Sequence, residues 1–285
     1  MFRLAEESGE CGSDASAANM FLYRKKYGIS ICFYKNFYLR RYDSREYMYG
    51  YGFPLGSGDY TEILNILKED AAYSGRKLVF CMLSEHEKTV LDTVLPEEFA
   101  YTEIRDNDDY IYSREGLAGL HGKKYHKKKN HVSQFMRRYP DTRFELLSPA
   151  NKPDIEKVAE QWFDENGGST DTDKQVELGL IRESLACSDT LRLSGGILYA
   201  ENRPAAMTLT SPITQSVSDT HFEKALHEYA DAGAYAVINQ EMALHLSSFT
   251  LINREEDLGI EGLRKAKLSY QPDILFTKYQ AELKI

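Results

Sequence analysis

Two short stretches of this chain concentrate groups that can move protons and hold charge. The first, SVSDTHFE, carries His221 and Glu223 two positions apart; the second, LINREED, carries Asn253, Arg254, Glu255, Glu256 and Asp257 in one run. Side chains alternate along a strand, so His221 and Glu223 share one face, as do Asn253 and Glu255 if the second strand continues through them. An imidazole or carboxylate so placed can take a proton from an attacking nucleophile, which makes His221, Glu223 and Glu255 candidate bases. Arg254 and Asn253, with strand amides, are candidates to orient an ester substrate. The competing reading is structural: NREED and the following GLRKAK, with Arg264 and Lys267, form an ion-pair network that caps a helix, and His221 is a packed histidine.

The elements that must position these residues follow from periodicity. From residue 20 to about 50 the segments FLYRKKY, ISICFY, FYLRRY and YMYGYG read as strands, rich in Tyr and Phe. Asp59 is a helix N-cap for a helix ending near Gly75, KLVFCML (77–83) is a buried strand, EHEKTVLDTV a helix, and FAYTEI and DYIYS are strands. Residues 7–17, ESGECGSDASA, lack hydrophobic periodicity and read as a loosely held loop. A second α/β unit begins with RFELL at 143–147. In its first helix Ile155, Val158, Ala159, Trp162 and Phe163 form one apolar stripe. A helix over 173–186, a hairpin-like strand pair turned at 201–204, the SVSDTHFE strand, a helix near 234–247, the strand SFTLIN, a helix over 259–268 and closing strands in DILFTKYQAEL complete it. That order is the one found in GNAT acyltransferases, and the first half reads as a degenerate copy. The fold expected is therefore α/β, with tandem GNAT-like domains of mixed, twisted sheets flanked by helices. The domains expected are 1–112 and 143–285, joined by a basic connecting segment over 113–142.

Composition bounds the rest. With 42% apolar and 28% charged residues over 285 positions, the chain is globular and long enough for two domains. Four cysteines lie 21, 49 and 106 residues apart, outside any zinc-site spacing, so no metal is expected. No stretch approaches about 20 apolar residues and none has the build of a signal peptide, so a cytoplasmic protein is expected. The net charge of −9 is unevenly spread: residues 121–138 hold seven Lys/Arg and no acid. Within them Lys123, Lys124, Lys127, Lys128 and Lys129, interleaved with Tyr125, His126 and His131, suit a phosphate-rich partner, although lysine runs are more often solvated surface.

Two longer stretches carry a family likeness: DYIYSREGLAGLHGKKYHKKKNHVSQF at 109–135, and HFEKALHEYADAGAYAVINQE with LINREEDLGIEGLRKAKLSYQPDIL between 221 and 275. Together they resemble the C-terminal family of phosphatidylglycerol lysyltransferases, in its DUF2156 branch, which is related to Fem-type aminoacyl transferases. The likeness covers roughly residues 20–280 and implies a transferase that passes an aminoacyl group from aminoacyl-tRNA to an amine or hydroxyl of a lipid, peptide or small-molecule acceptor. It implies no bound cofactor. In that setting Glu256 or Asp257 is expected to hold an α-ammonium group, and Arg254, Arg264, Lys267 and Tyr235 are further candidate substrate-binding residues. Lys123, Lys124, Lys127, Lys128, Lys129 and His131 are the candidate RNA contacts. Acetyl-CoA-dependent GNATs place a glycine-rich pyrophosphate loop after the equivalent strand. Here that loop, EYADAGAY, has one glycine and two acids, so acyl-CoA is the second choice of donor. A GNAT-fold binding module without chemistry is the third reading.

Overall fold

The computed structural model describes residues 2–284. In chain order its first elements are α1 (Phe2–Ser8), α2 (Ala17–Leu22), β1 (Ile29–Tyr34), β2 (Phe37–Ser44), β3 (Met48–Gly56), α3 (Tyr60–Tyr73), β4 (Val79–Leu83), α4 (Glu85–Val94) and β5 (Phe99–Glu103). There follow β6 (Asp109–Ser113), α5 (Arg114–Gly119), α6 (His126–Arg138), β7 (Arg143–Leu146), α7 (Lys152–Glu165), α8 (Thr172–Ala186), β8 (Ser194–Ala200) and β9 (Arg203–Pro212). Last come β10 (Val217–Ala225), α9 (His227–Ala230), α10 (Ala234–His245), β11 (Leu251–Asn253), α11 (Glu261–Leu268), β12 (Ile274–Phe276) and β13 (Tyr279–Leu283). Two compact units share this chain. The first takes in the residues up to 110, then 255–265 and the stretch from 274 onward; the second takes in 111–254 and 266–273.

In the first unit the sheet order is β1-β2-β3-β4-β13-β5, with β3 and β4 parallel and the other pairs antiparallel. Phe37, Tyr51, Phe53, Phe80, Phe99 and Ala281 of the sheet are buried in one cluster with Ile63, Leu64 and Leu67 of α3. Asp59 caps α3 by accepting from the amides of Thr61 and Glu62. Ser84 and Glu87 close a reciprocal capping box on α4.

Three expectations are corrected here. Residues 7–17 are not a loose loop: Ser13 donates to both carboxylate oxygens of buried Asp109, from its amide at 2.6 Å and its hydroxyl at 3.0 Å. FLYRKKY is not a strand, because Ser16 caps α2 and carries the helix through Leu22. Of the closing segment, β13 joins the first sheet, where it pairs with β4 and β5, and only β12 stands in the second. Buried Lys278, just before β13, secures this arrangement through Asp109 at 2.8 Å, Asp14 at 2.5 Å and the Ser13 hydroxyl at 2.9 Å.

In the seven-stranded second sheet β6-β11-β10-β9-β8-β7 are consecutive, with β10 and β11 parallel and the other four pairs of this run antiparallel. Helix α7 packs on β9 and β10, and α10 packs on β8, β9 and β10 as well as on α5 and α6. Ile155, Val158 and Ala159 of α7 are buried as the apolar stripe requires, whereas Trp162 and Phe163 at its end are only half-buried. Helix α10 is apolar on nearly every side because it is covered on nearly every side; Ala234, Val237, Ile238, Met242 and Ala243 are all buried. The two mixed sheets flanked by helices are those of tandem GNAT-like domains.

The capping box of α4 has a pH consequence. Burial, followed by the neighbouring Glu10 carboxyl, pushes Glu87 up from 4.5 to about 8. A carboxyl with a raised folded pKa keeps its proton where the unfolded chain has lost it, so stability is greatest below about pH 4.5 for this group and declines as pH rises towards 8. Glu87→Gln keeps an acceptor for the Ser84 amide and cannot ionise. We expect chemical denaturation to show the wild type losing stability between pH 5 and 8 by on the order of 2 kcal/mol, and Glu87→Gln to flatten that slope. An unchanged slope removes Glu87 as its source.

Candidate active site

Strands β10 and β11 pair over only three positions, Val217 with Leu251, Ser218 with Ile252 and Asp219 with Asn253. Beyond Asn253 the shorter strand stops, while β10 runs on to Ala225 with β9 on its other side. The edge of β10 after Asp219 therefore has no strand partner from β11, and this is where side chains converge, as expected at the carboxyl end of a parallel pair. Arg254, the residue after β11, spans the gap: its Nη2 donates to Glu223 Oε1 of β10 at 2.7 Å. Asn239 of α10 donates to the other Glu223 oxygen at 3.3 Å. Both charged side chains are nearly enclosed, with 12% of Arg254 and 10% of Glu223 exposed. Burial opposes the Arg254 charge, but the adjoining Glu223 carboxylate outweighs it and holds the guanidinium above its ordinary pKa.

A β-bulge at His221 alters the expected alternation: Thr220 faces Thr210 and Phe222 faces Leu209, leaving His221 as the extra residue. Its ring turns inward. Nε2 lies 2.7 Å from the Ser211 hydroxyl of β9, and Nδ1 lies 3.5 Å from Asp219 Oδ2. Asp219, Ser211 and Asn253 are all buried. His221 thus belongs to a Ser211–His221–Asp219 row, while Glu223 belongs to the Arg254 pair. Sequence reasoning passed over Asp219 and Ser211; Asp219, two positions before His221 on one strand, was the available signal, whereas Ser211 needed the register of the next strand.

Helix α6 lines the same region. Lys128 Nζ sits 3.9 Å from the centroid of the Tyr270 ring, and the Arg254 guanidinium carbon lies 5.0 Å from that ring and 5.8 Å from Tyr112. Burial, reinforced by the Arg254 charge, lowers the Lys128 amine to about 8. His131 is lowered too, by burial and then Lys128. Lys124 is held by Asp273 at 2.7 Å, whereas Lys123, Lys127 and Lys129 are exposed. Tyr235, on α10, is half-buried, and burial with the nearby Glu223 charge raises its hydroxyl. Lys267 is buried and donates to the Arg254 carbonyl at 2.6 Å, with Tyr112 donating to the Lys267 carbonyl at 2.8 Å.

Glu255, Glu256, Asp257 and Arg264 lie in the first unit. Glu255 has φ +57°, so the strand does not continue through it and the shared face with Asn253 does not form. Its carboxylate accepts from Asn19 at 2.9 Å. Burial pushes Glu256 up to about 7 despite the nearby Lys278 charge. Asp257 is fully engaged: Arg264 donates to both oxygens at 2.8 and 2.7 Å, the Gly259 amide at 2.9 Å, and the Tyr110 hydroxyl adds another bond. Burial raises this carboxyl, but those donors outweigh it and hold it well below the usual range. Asp257 and Arg264 form the brace at the start of α11 that the capping reading describes.

A family model described as phosphatidylglycerol lysyltransferase, C-terminal, matches residues 5–282. The chain belongs to this family. It is similar to a conserved protein of unknown function from Bacteroides thetaiotaomicron VPI-5482, at 34% identity and a TM-score of 0.93 over 99% of this chain and 95% of that one. It shares its fold with the DUF2156 C-terminal domain of a putative lysylphosphatidylglycerol synthetase from Agrobacterium fabrum, at 14% identity and a TM-score of 0.68 over 99% and 92% of the two chains. It also shares it with FemX, at 8% identity and a TM-score of 0.66 over 100% and 95%. An uncharacterized protein of Mycoplasmoides gallisepticum is 24% identical over 174 residues, a match spanning 60% of this chain and 54% of that protein. Family and fold together are those of GNAT-like transferase domains. Among the described residues no helix is long and apolar enough to cross a membrane.

In this lysyltransferase-family chain the loop after β10 differs from an open pyrophosphate loop. Gly233, with φ +110°, precedes α10, and a Cβ placed there would lie 2.9 Å from the His131 carbonyl oxygen of α6. Backbone meets backbone at that point, so no side chain fits. Gly233→Ala is expected to cost on the order of 2 kcal/mol from strain and forced separation of α6 from α10. Urea denaturation checks this; an unchanged midpoint shows that the two helices part without penalty.

Proposed function

We propose that this chain moves an aminoacyl group from aminoacyl-tRNA to an amine or hydroxyl of a lipid, peptide or small-molecule acceptor. The observation that carries the choice of donor is the packing of α6 against the start of α10. A GNAT that uses acyl-CoA needs bare amides there to receive a pyrophosphate. Here the His131 carbonyl closes on Gly233, and Glu228 and Asp231 stand in the same loop. Carbonyl oxygens and carboxylates repel a polyphosphate. The same helix instead turns Lys127 and Lys129 to solvent, just after exposed Lys123, a field suited to RNA phosphates.

On this reading His221, its ring oriented by Ser211 and faced by Asp219, is the proton acceptor. Asn253 and Arg254 supply donors where negative charge develops. Glu223 acts chiefly by fixing Arg254, with half-buried Tyr235 on α10 near the Glu223 charge.

The test offers the purified protein a pool of charged tRNA and, separately, short-chain acyl-CoA, each with amine and hydroxyl acceptors, and follows loss of the ester or thioester. Turnover of the aminoacyl ester alone supports the proposal; thioester turnover alone sinks it. Replacing Lys123, Lys127 and Lys129 together with Ala should weaken tRNA binding and reduce its salt slope by up to about 0.7 per lost contact. A slope equal to that of the wild type would make the exposed lysines ordinary solvated surface.

A further inference from the structure

Strand β1 stands at one edge of the first sheet, where β2 is its sole partner among the described strands. Five of its six residues are exposed. Charges, prolines and bulges are what keep a free sheet edge from adding a further strand. The sequence of β1, ISICFY, holds neither charge nor proline, and its pairing with β2 runs without a bulge. The register with β2 sorts its side chains: Ile29, Ile31 and Phe33 lie on the face of Tyr42, Arg40 and Tyr38, and Ser30, Cys32 and Tyr34 lie on the other. Ile31 and Phe33, 50% and 56% exposed, therefore stand side by side at the rim. An apolar edge with open backbone groups accepts another strand.

The charges around β1 select which strand. Arg24, Lys25 and Lys26 precede it, whereas at its far end Lys35 is bound to Glu62 at 2.5 Å and exposed Asp59 lies close to that pair at the start of α3. One end is cationic, and the other has more carboxylates than cations. A second β1 laid antiparallel sets the cations of each copy against the carboxylates of the other, whereas a parallel one sets cations on cations. Antiparallel pairing of identical strands is what a two-fold axis generates, so both edges are consumed and no open fibre follows. The Ile29 amide already donates to the Arg24 carbonyl at 2.8 Å, which leaves residues 30–34 as the open stretch. Its middle residue is Cys32. A two-fold axis there puts Ile31 of each copy opposite Phe33 of the other and Ser30 opposite Tyr34, with the two Cys32 side chains facing each other.

We propose that β1 is a homodimerisation edge, pairing antiparallel with β1 of a second copy about an axis at Cys32. Sedimentation velocity over a concentration series measures the association, with the melting temperature followed for every variant. The wild type should pass from monomer to dimer as concentration rises. Phe33→Lys sets an ammonium in the apolar contact and should raise the dimer dissociation constant roughly 100-fold. Because Phe33 also packs on the Tyr38 ring at 5.2 Å, a second variant spares the fold. Lys25→Glu alters an exposed side chain and should weaken association roughly two- to fivefold, and added salt should weaken the wild type as well. Mild oxidation should give a reducible dimer on a gel in the wild type and none in Cys32→Ser. A wild type that stays monomeric overturns the proposal, as does a dimer indifferent to both Phe33→Lys and Lys25→Glu. A dimer lost in Phe33→Lys whose Cys32 thiols never link overturns the axis at Cys32. A monomer that binds vesicles of anionic phospholipid through Phe33 gives the edge to a membrane surface, and the homodimer is then wrong.

Discussion

Arg254 sits in a place where a positive charge is tolerated only because Glu223 is within 2.7 Å. A buried guanidinium stripped of its carboxylate costs several kcal/mol, and so does the stranded carboxylate. The geometry of the second unit follows from meeting that condition. Strand β11 has to end at Asn253 so that the next side chain can cross to β10, and β10 has to continue past the last paired position so that Glu223 is there to receive it. Asn239 takes the second carboxylate oxygen, Tyr112 and Tyr270 wall the guanidinium, and Lys267 holds the Arg254 carbonyl. What would be a plain splay between parallel strands becomes a charged recess.

The capping network expected of NREED does not take in the whole segment. Its charges are shared out residue by residue. Arg254 serves the recess, Glu255 is held by Asn19, Asp257 is saturated by Arg264 and the Gly259 amide, and Lys267 closes back on the Arg254 backbone. The bracing of α11 through Asp257 sets the path of the chain on leaving Arg254. Adjacent residues thus have different partners, and a rule that assigns one role to the whole motif misses the division.

Much of this was legible before any coordinates. Asp59 and Gly75 bounded α3, the apolar stripe from Ile155 through Ala159 oriented α7, and the order of elements gave the two mixed sheets flanked by helices. The errors have physical causes. A bulge at His221 breaks strict alternation, and no local pattern in SVSDTHFE announces it. Glu255 adopts a left-handed backbone that its residue type does not advertise. The polar stretch 7–17 reads as loose only until Asp109, nearly a hundred positions away, supplies the acceptor for Ser13. Each case turns on a long-range partner or a backbone irregularity, neither of which leaves a periodic trace.

The lysine run is where periodicity, applied once more, adds something. A charge run looks uniform in sequence, but the 3-10 turn Lys123–Tyr125 and the helix α6 that follows it divide it. Lys124 and Lys128 are four apart and turn inward beside buried Tyr125, with Phe135 two turns further along the same side. Lys123 and Lys127, also four apart, turn outward, and Lys129 joins them. The inward pair is therefore committed, one lysine to Asp273 and the other to the Tyr270 ring beside Arg254, and neither adds freely to a long-range field. The outward set is solvated, screened by salt and suited to steering a polyanion towards the helix. Five lysines that composition counts alike thus divide into one that ties its segment to the fold through Asp273, one packed on the Tyr270 ring, and three that face solvent.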